Sequence, residues 1–245
     1  MSPVITNLLF KSLAETLYML SVSAIIAAII GIPLGILLVV TEKNGILVCP
    51  VLNKPLAFAI NMVRSIPFII LMVAIIPFTR MVAGTSIGTT AAIVPLTIAA
   101  IPYTARMVET SIREIPFGLI EAAESMGASP YQIIKKVLIP EALPSIIENM
   151  TVVIVSLIGS SAMAGTIGGG GLGDLAIRYG YQRFQADVMI ATIIVLIIIV
   201  QLIQFIGSTW SRKTDTRYSP EWMELSVKSH FRNYKFKRER KFCLC

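Results

Sequence analysis

Long apolar stretches dominate this sequence. A helix that crosses a lipid bilayer needs about 20 consecutive, predominantly apolar residues, and five stretches approach or exceed that length. They are residues 17–40, 56–78, 88–107, 150–165 and 188–205. Only 14% of the 245 residues are charged, against about 25% in an ordinary soluble domain. We therefore predict an all-α integral membrane protein with five transmembrane helices.

The basic residues predict how the chain is oriented in the membrane. Ten of the 21 Lys and Arg lie between Arg212 and Lys241. If the segment between the third and fourth spans is cytoplasmic, 16 bases lie on the cytoplasmic side and 4 lie outside. The positive-inside rule favours this arrangement. We therefore expect a periplasmic N-terminus and a cytoplasmic C-terminus.

The chemically active side chains are too few for several classes of protein. His230 is the only histidine, and the three cysteines have no metal-like spacing. No Gly-Lys dipeptide occurs, so the chain has no phosphate-binding loop of the G-x-x-x-x-G-K-[ST] type. Residues 168–173 contain the letters G-x-G-x-x-G, but no strand is predicted before them, and a tight turn is the better interpretation. We expect no catalytic residue, bound cofactor or metal, and no nucleic-acid partner.

An amphiphilic segment, residues 116–144, predicts two short helices and no membrane span. The first runs over about 116–126, with Gly127 as its C-terminal cap. Ser129 is the predicted N-cap of the second helix, which is expected to stop before Pro140. A connector on the membrane surface is one interpretation. A contact with another protein is the alternative, favoured because acidic residues outnumber basic ones here, whereas surface anchors are usually basic.

This segment resembles the EAA loop of ABC importer permeases. Glu121-Ala122-Ala123 is followed after three residues by Gly127 and after nine more by residues 137–140. The family pattern is E-A-A, three residues, G, nine residues and I-x-L-P. Further stretches resemble the methionine-importer permeases, and the likeness covers about residues 5–213. These stretches are R-S-I-P-F-I-I at 64–70, I-P-F-T-R at 76–80, I-V-P-L-T at 93–97 and S-A-M-A-G-T-I-G-G-G-G-L-G at 161–173.

The resemblance implies the fold of a type I ABC importer permease. Residues 1–213 would form the transmembrane domain. Residues 214–245 are not covered by the resemblance, and their basic composition predicts a cytoplasmic extension attracted to anionic membrane lipid. The chain would be a homodimer in the bacterial inner membrane. Its partners would be two copies of a separate ATPase, which binds ATP and Mg, and an extracytoplasmic methionine-binding protein.

The resemblance also implies which residues couple the permease to its ATPase. Glu121 would face the ATPase, Ala122 and Ala123 would fit its cleft, and Gly127 would make the bend. The expected coupling residues are Glu121, Ala122, Ala123, Gly127 and Pro140.

Four residues in the spans are candidates for a translocation pathway or gate. Arg64 is the only charged residue well inside a predicted span, since Arg106 lies at the very end of the third, and such residues are usually functional. It either snorkels to the cytoplasmic surface or has a structural or pathway role. Met163 either fills a gap in the core or gates the route. The candidates are Arg64, Ser160, Ser161 and Met163.

The expected function is that of the membrane-spanning subunit of an ATP-driven methionine importer, with the stereoisomer left open. An ABC permease for another amino acid or small solute is the main alternative, because the EAA loop indicates an ATPase partner and does not identify the transported solute. A secondary transporter would need acidic residues within its spans, and every Asp and Glu is predicted in a loop, terminus or tail. A membrane enzyme would need convergent catalytic groups.

Overall fold

A computed structural model describes residues 3–43 and 45–215 of the chain. These residues form helices and connecting turns, and no strand occurs among them. The helices are α1 (Pro3–Val40), α2 (Pro50–Ser65), α3 (Phe68–Ala74), α4 (Ile76–Ala83), α5 (Thr89–Arg113), α6 (Phe117–Ser125), α7 (Pro130–Ile133), α8 (Ile139–Gly165), α9 (Gly171–Leu175) and α10 (Ala186–Thr214). A π-helical turn, Ile134–Leu138, joins α7 to α8, and another, Ala176–Tyr181, follows α9. The basic extension after residue 215 lies outside the described residues.

Four helical segments in the described part of the chain are long and apolar enough to cross a membrane. They are Ile5–Val40, Thr89–Arg113, Pro130–Gly165 and Ala186–Thr214. A fifth span results if the bent pair of α2 and α3 is counted as one. The predicted all-α fold with five spans is confirmed, with one of the five broken.

The second predicted span is not one straight helix. Residues 56–78 are divided among α2, α3 and α4, and the chain bends by 100° between the first two. Pro67 causes the break, because proline has no N–H to donate and disfavours helical geometry in the residue before it. Ile66 accordingly has an extended backbone, with φ −84° and ψ 123°. Hydropathy alone does not detect this bend.

Helices α1 and α5 pack closely against each other over much of their length. A Cβ atom built on Gly31 would lie 2.7 Å from the Cβ of Thr104, and one built on Gly35 would lie 2.5 Å from the carbonyl oxygen of Ala105. The two glycines therefore form a small-residue face that lets the two backbones approach closely.

Three apolar clusters hold the described helices together, and two of them are large. Met19, Leu96 and Val153 are fully buried and join α1, α5 and α8. A second cluster includes Val108 and Ile133. It joins the C-terminal part of α5 to α6, α7 and the start of α8. The segment that resembles the EAA loop thus shares one apolar cluster with α5 and α8.

Pro140 does not end the second short helix, contrary to the prediction. The helix continues through the π-helical turn, and Pro140 lies in the first turn of α8. The N–H of Ile139 bonds to the carbonyl of Ile134, five residues back. The wider π turn accommodates a residue that has no N–H and whose ring would clash with an ordinary helical turn.

Candidate functional site: a helical elbow and a membrane cavity

Gly127 makes the bend of a helical elbow, which we define as residues 117–138. Its φ is +79°, a left-handed conformation that glycine adopts without steric cost. The Gly127 N–H donates to the carbonyl of Glu124 at 2.9 Å, and the Ala128 N–H donates to that of Ala123 at 3.1 Å. This is the Schellman pattern, which closes the last turn of a helix and redirects the chain.

A capping box starts the second arm of the elbow. The Gln132 N–H donates to the Ser129 hydroxyl oxygen at 3.4 Å, and the Ser129 N–H donates to the Gln132 side-chain carbonyl at 2.9 Å. Two backbone donors that a helix leaves unpaired are satisfied in this way. The elbow is therefore fixed on both sides of its bend by local hydrogen bonds.

The elbow has a buried face and an exposed face, and the Glu-Ala-Ala triplet is divided between them. Glu121 and Ala122 are exposed, whereas Ala123 is 4% exposed. Ala123 packs in the same cluster as Ile133 and Leu138. The chain itself therefore covers the Ala123 side chain, and a fit of Ala123 into the cleft of a partner stays a prediction. An alanine carries no polarity from which its direction could have been predicted.

Exposed apolar side chains surround the bend. Met126 is 81% exposed, and Phe117 and Tyr131 are also largely exposed. Acidic Glu121 and Glu124 lie between them. Apolar patches rimmed by polar groups are typical of protein contact sites.

Sequence reasoning missed a buried ion cluster beside the elbow. Glu109 is 4% exposed and forms ion pairs with Arg106 and Arg113. Arg113 also pairs with Glu42 in the turn after α1, at 2.9 Å. The prediction that every acidic residue lies outside the spanning helices is wrong for Glu109, because α5 extends to Arg113. It is also wrong for the acidic residues in the other long helices, which are Glu15, Glu141, Glu148 and Asp187. The spacing of Arg106, Glu109 and Arg113, at three and four residues, was the available signal.

The C-terminal end of α5 also forms polar contacts with two other helices. Arg106 donates to the side-chain oxygen of Asn61 in α2 at 2.7 Å. Asn149 in α8 donates to the hydroxyl of Ser111 at 2.8 Å. The helices that carry the elbow are thus held at a fixed distance by directional bonds.

A cavity of 210 Å³ lies between α2, α3, α5 and α8. It brings together two of the four predicted pathway residues, Arg64 and Ser160. The guanidinium carbon of Arg64 is 5.8 Å from the centre of the Tyr103 ring, a distance typical of a cation–π contact. Arg64 is in the last turn of α2, immediately before the bend at Pro67.

The other two predicted pathway residues have different surroundings. Ser161 is buried and donates to the carbonyl of Ile158 at 2.8 Å. Met163 follows Ser160 by about one helical turn and is 49% exposed. Met163 therefore does not fill a gap in the described core, and its side chain is free to face a route or a second subunit.

The glycine-rich run is a tight turn that packs on α1. Gly168, Gly170 and Gly171 all have positive φ values. The Gly171 N–H donates to the Glu15 carboxylate at 3.0 Å, and the Leu172 N–H donates to the Thr16 hydroxyl at 2.8 Å. These contacts, which sequence reasoning missed, anchor the turn between α8 and α9.

Residues 31–219 match the model of a family described as the binding-protein-dependent transport system inner membrane component. Over 212 residues the chain is 52% identical to a probable D-methionine transport system permease protein of Vibrio cholerae, covering 86% of this chain and 94% of that protein. A protein of the same description from Pasteurella multocida is 47% identical over 217 residues, covering 89% of this chain and all of that protein.

Solved structures show the same similarity. An inward-facing structure of the MetNI methionine ABC transporter matches with a TM-score of 0.85 and 48% identity, covering 88% of this chain and 100% of the solved chain. An amino acid ABC transporter with histidines matches with a TM-score of 0.71 at 20% identity, covering 85% and 94% respectively. The second likeness shows a shared fold alone.

Proposed function

The chain belongs to the family of binding-protein-dependent transport system inner membrane components, and from this membership we propose that it is the permease subunit of an ATP-driven importer for methionine. The relatives from Vibrio cholerae and Pasteurella multocida are described as D-methionine permeases. The structural relative at 48% identity is a methionine ABC transporter. A permease for another amino acid or small solute is the alternative, because the elbow would contact the ATPase and does not identify the transported solute.

Two copies of the chain would form the pathway in the bacterial inner membrane, with the N-terminus periplasmic and the C-terminus cytoplasmic. A separate ATPase would bind ATP and Mg, one copy on each elbow. An extracytoplasmic binding protein would deliver the cargo, which agrees with a family described as binding-protein-dependent. In this arrangement the chain itself catalyses no reaction.

The division of the elbow into two faces carries this proposal. The ATPase would contact Glu121, Ala122 and the exposed apolar side chains around Gly127. Ala123, on the opposite face, belongs to the apolar cluster that includes Val108 of α5. Close-packed interiors transmit displacement. A movement of the ATPase against the exposed face would therefore pass through the buried face to the spanning helices.

The cargo route would run past the cavity between α2, α3, α5 and α8. Arg64 and Ser160 line this cavity, and Met163 lies about one turn farther along α8. We propose that Met163 gates the route and that buried Ser161 fixes the helix behind it. An apolar, polarizable methionine side chain excludes water and tolerates a thioether cargo.

Co-purification and uptake test the proposal directly. The tagged chain is purified in mild detergent together with its partners, and radiolabelled methionine uptake is measured in proteoliposomes. We expect an ATPase subunit at equal stoichiometry, and uptake that requires ATP. Glu121→Lys should abolish uptake and reduce the amount of ATPase recovered. Asp187→Lys, which reverses an exposed charge in the first turn of α10, should leave ATPase recovery unchanged.

Two results would contradict different parts of the proposal. If the chain is recovered alone and moves solute with an ion gradient, the importer assignment is wrong. If the ATPase is present and another amino acid is imported in place of methionine, only the cargo assignment fails.

A further inference from the structure

The membrane cavity contains a positive charge and no negative one. Among its described lining residues, Arg64 is the only basic side chain and none is acidic. The ion pairs found in the described residues do not include Arg64. A cation within a membrane span is costly, so such a group marks a binding site or a pathway. Arg64 therefore has its positive charge available for an anion that enters the cavity.

The cavity lies well inside the spanning helices. Tyr103, whose ring contacts Arg64, is 14 residues from the start of α5 at Thr89 and 10 residues from its end at Arg113. At about 1.5 Å per residue, these separations correspond to about 21 Å and about 15 Å along the helix. A ligand in contact with Arg64 would therefore lie among the spanning helices, away from both ends of α5.

The remaining lining matches the other parts of a small amino acid. Ser156 and Ser160 line one side. The Ser160 hydroxyl donates to the carbonyl of Ser156 at 3.2 Å, so its oxygen lone pairs remain free to accept from an ammonium group. Leu71 and Leu157 add apolar surface. The volume of 210 Å³ is below the range of about 300–1,000 Å³ for sites that bind drug-sized ligands. A cavity of this size suits a smaller solute.

We propose that Arg64 binds the α-carboxylate of the transported amino acid as the cargo passes through this cavity. The guanidinium group presents paired N–H donors that match both oxygens of a carboxylate. Ser156 and Ser160 accept from the α-ammonium, and Leu71 and Leu157 contact the apolar side chain. This inference rests on the proposed function, because it takes an amino acid as the cargo.

Variants of Arg64 in the reconstituted transporter test the inference. The complex of permease, ATPase and binding protein is placed in proteoliposomes, and amino acid uptake and ATP hydrolysis are measured together. Arg64→Gln is expected to lower uptake at least tenfold while ATP hydrolysis stays within twofold of the unmodified complex. Arg64→Lys should recover part of the uptake, because it keeps the charge and loses the paired donors. Arg80→Gln, an exposed residue of α4, is the matched control and should leave both rates unchanged.

Two outcomes of this experiment would overturn the inference. Unchanged uptake in Arg64→Gln would show that the guanidinium contacts solvent or a lipid phosphate and does not bind the cargo. A parallel loss of uptake and ATP hydrolysis in both Arg64 variants would show that the residue is needed for assembly.

Photolabelling tests whether the carboxylate is the group recognised. The permease–ATPase complex, without nucleotide, is irradiated with photo-methionine, whose diazirine replaces the thioether. We expect labelled peptides that contain residues 63–71 or 153–160, with competition by methionine and little competition by methioninol, which has no carboxylate. Equal competition, or no label in these peptides, contradicts the inference. If the unmodified complex imports another amino acid, the methionine assignment fails, and the Arg64 variants are then assayed with that cargo.

Discussion

At the residue scale, Glu109 is the group whose removal the structure penalises most clearly. Its carboxylate is buried and pairs with two arginines. In Glu109→Ala, Arg106 and Arg113 lose charge-assisted hydrogen bonds, each of which contributes about 1.5–3 kcal/mol. Because both arginines are partly exposed, we expect a total loss of about 2–3 kcal/mol. The measurement is the temperature at which the purified chain loses its native gel-filtration peak.

A matched variant separates this effect from the loss of any glutamate. Glu148→Ala removes an exposed carboxylate from α8 and should leave the melting temperature nearly unchanged. Equal melting temperatures for Glu109→Ala and Glu148→Ala would contradict the assigned role of the ion cluster.

At the element scale, the close approach of α1 to α5 depends on glycine. In Gly35→Ala the new Cβ would lie 2.5 Å from the carbonyl oxygen of Ala105 and 2.7 Å from the Cβ of Val108. Neither atom is the end of a flexible side chain, so the helices must separate, at a cost of about 1–3 kcal/mol for overpacking. The temperature at which the purified chain loses its native gel-filtration peak measures the loss.

Gly159→Ala is the corresponding control for Gly35→Ala. A Cβ at this position of α8 meets nothing within 4 Å, and alanine is the better helix former. We expect Gly159→Ala to be neutral or slightly stabilising in the isolated chain. If both alanine variants are equally tolerated, the close packing of α1 on α5 does not need its glycines.

The elbow depends on glycine for a different reason. At Gly127 a Cβ has open space, but the φ of +79° is unfavourable for any side chain. Gly127→Ala should therefore cost about 1–2 kcal/mol locally and change the angle between α6 and α7. We expect uptake per ATP hydrolysed to fall severalfold, while Gly118→Ala, which also has open space but no positive φ, keeps the normal ratio. Equal ratios in the two variants would show that the bend does not matter for coupling.

The elements that could be predicted from the sequence are those with a strong local signal. Local sequence patterns predict the Ser129 cap, the Gly127 bend and the apolar length of the spans. The burial of Ala123 could not be predicted, because it depends on how α6 folds back against α7 and the π-helical turn Ile134–Leu138. The break at Pro67 was missed because hydropathy sums over a window and ignores backbone geometry. The sequence predicts a loop at Glu109, because the apolar stretch ends before α5 does.

At the scale of the whole molecule, a transporter must prevent free passage of its cargo when the motor is idle. Met163 is half exposed near the end of α8, about one turn beyond the cavity that Arg64 and Ser160 line. In a homodimer the two Met163 side chains would close the route with apolar, adaptable surface. Truncation to alanine removes the thioether from each copy and leaves a gap that water and solute can enter.

Met163→Ala is therefore expected to let radiolabelled methionine leak from loaded proteoliposomes without ATP, at least several times faster than the unmodified complex does. Met81→Ala is the control, because Met81 is exposed in α4 and lines none of the cavity. Leak in Met163→Ala alone, with ATP hydrolysis retained, supports a gate. No leak and unchanged uptake would show that the route is closed elsewhere. Because a gate and a carboxylate site act at different steps, Arg64→Gln should slow ATP-driven uptake without raising this passive leak.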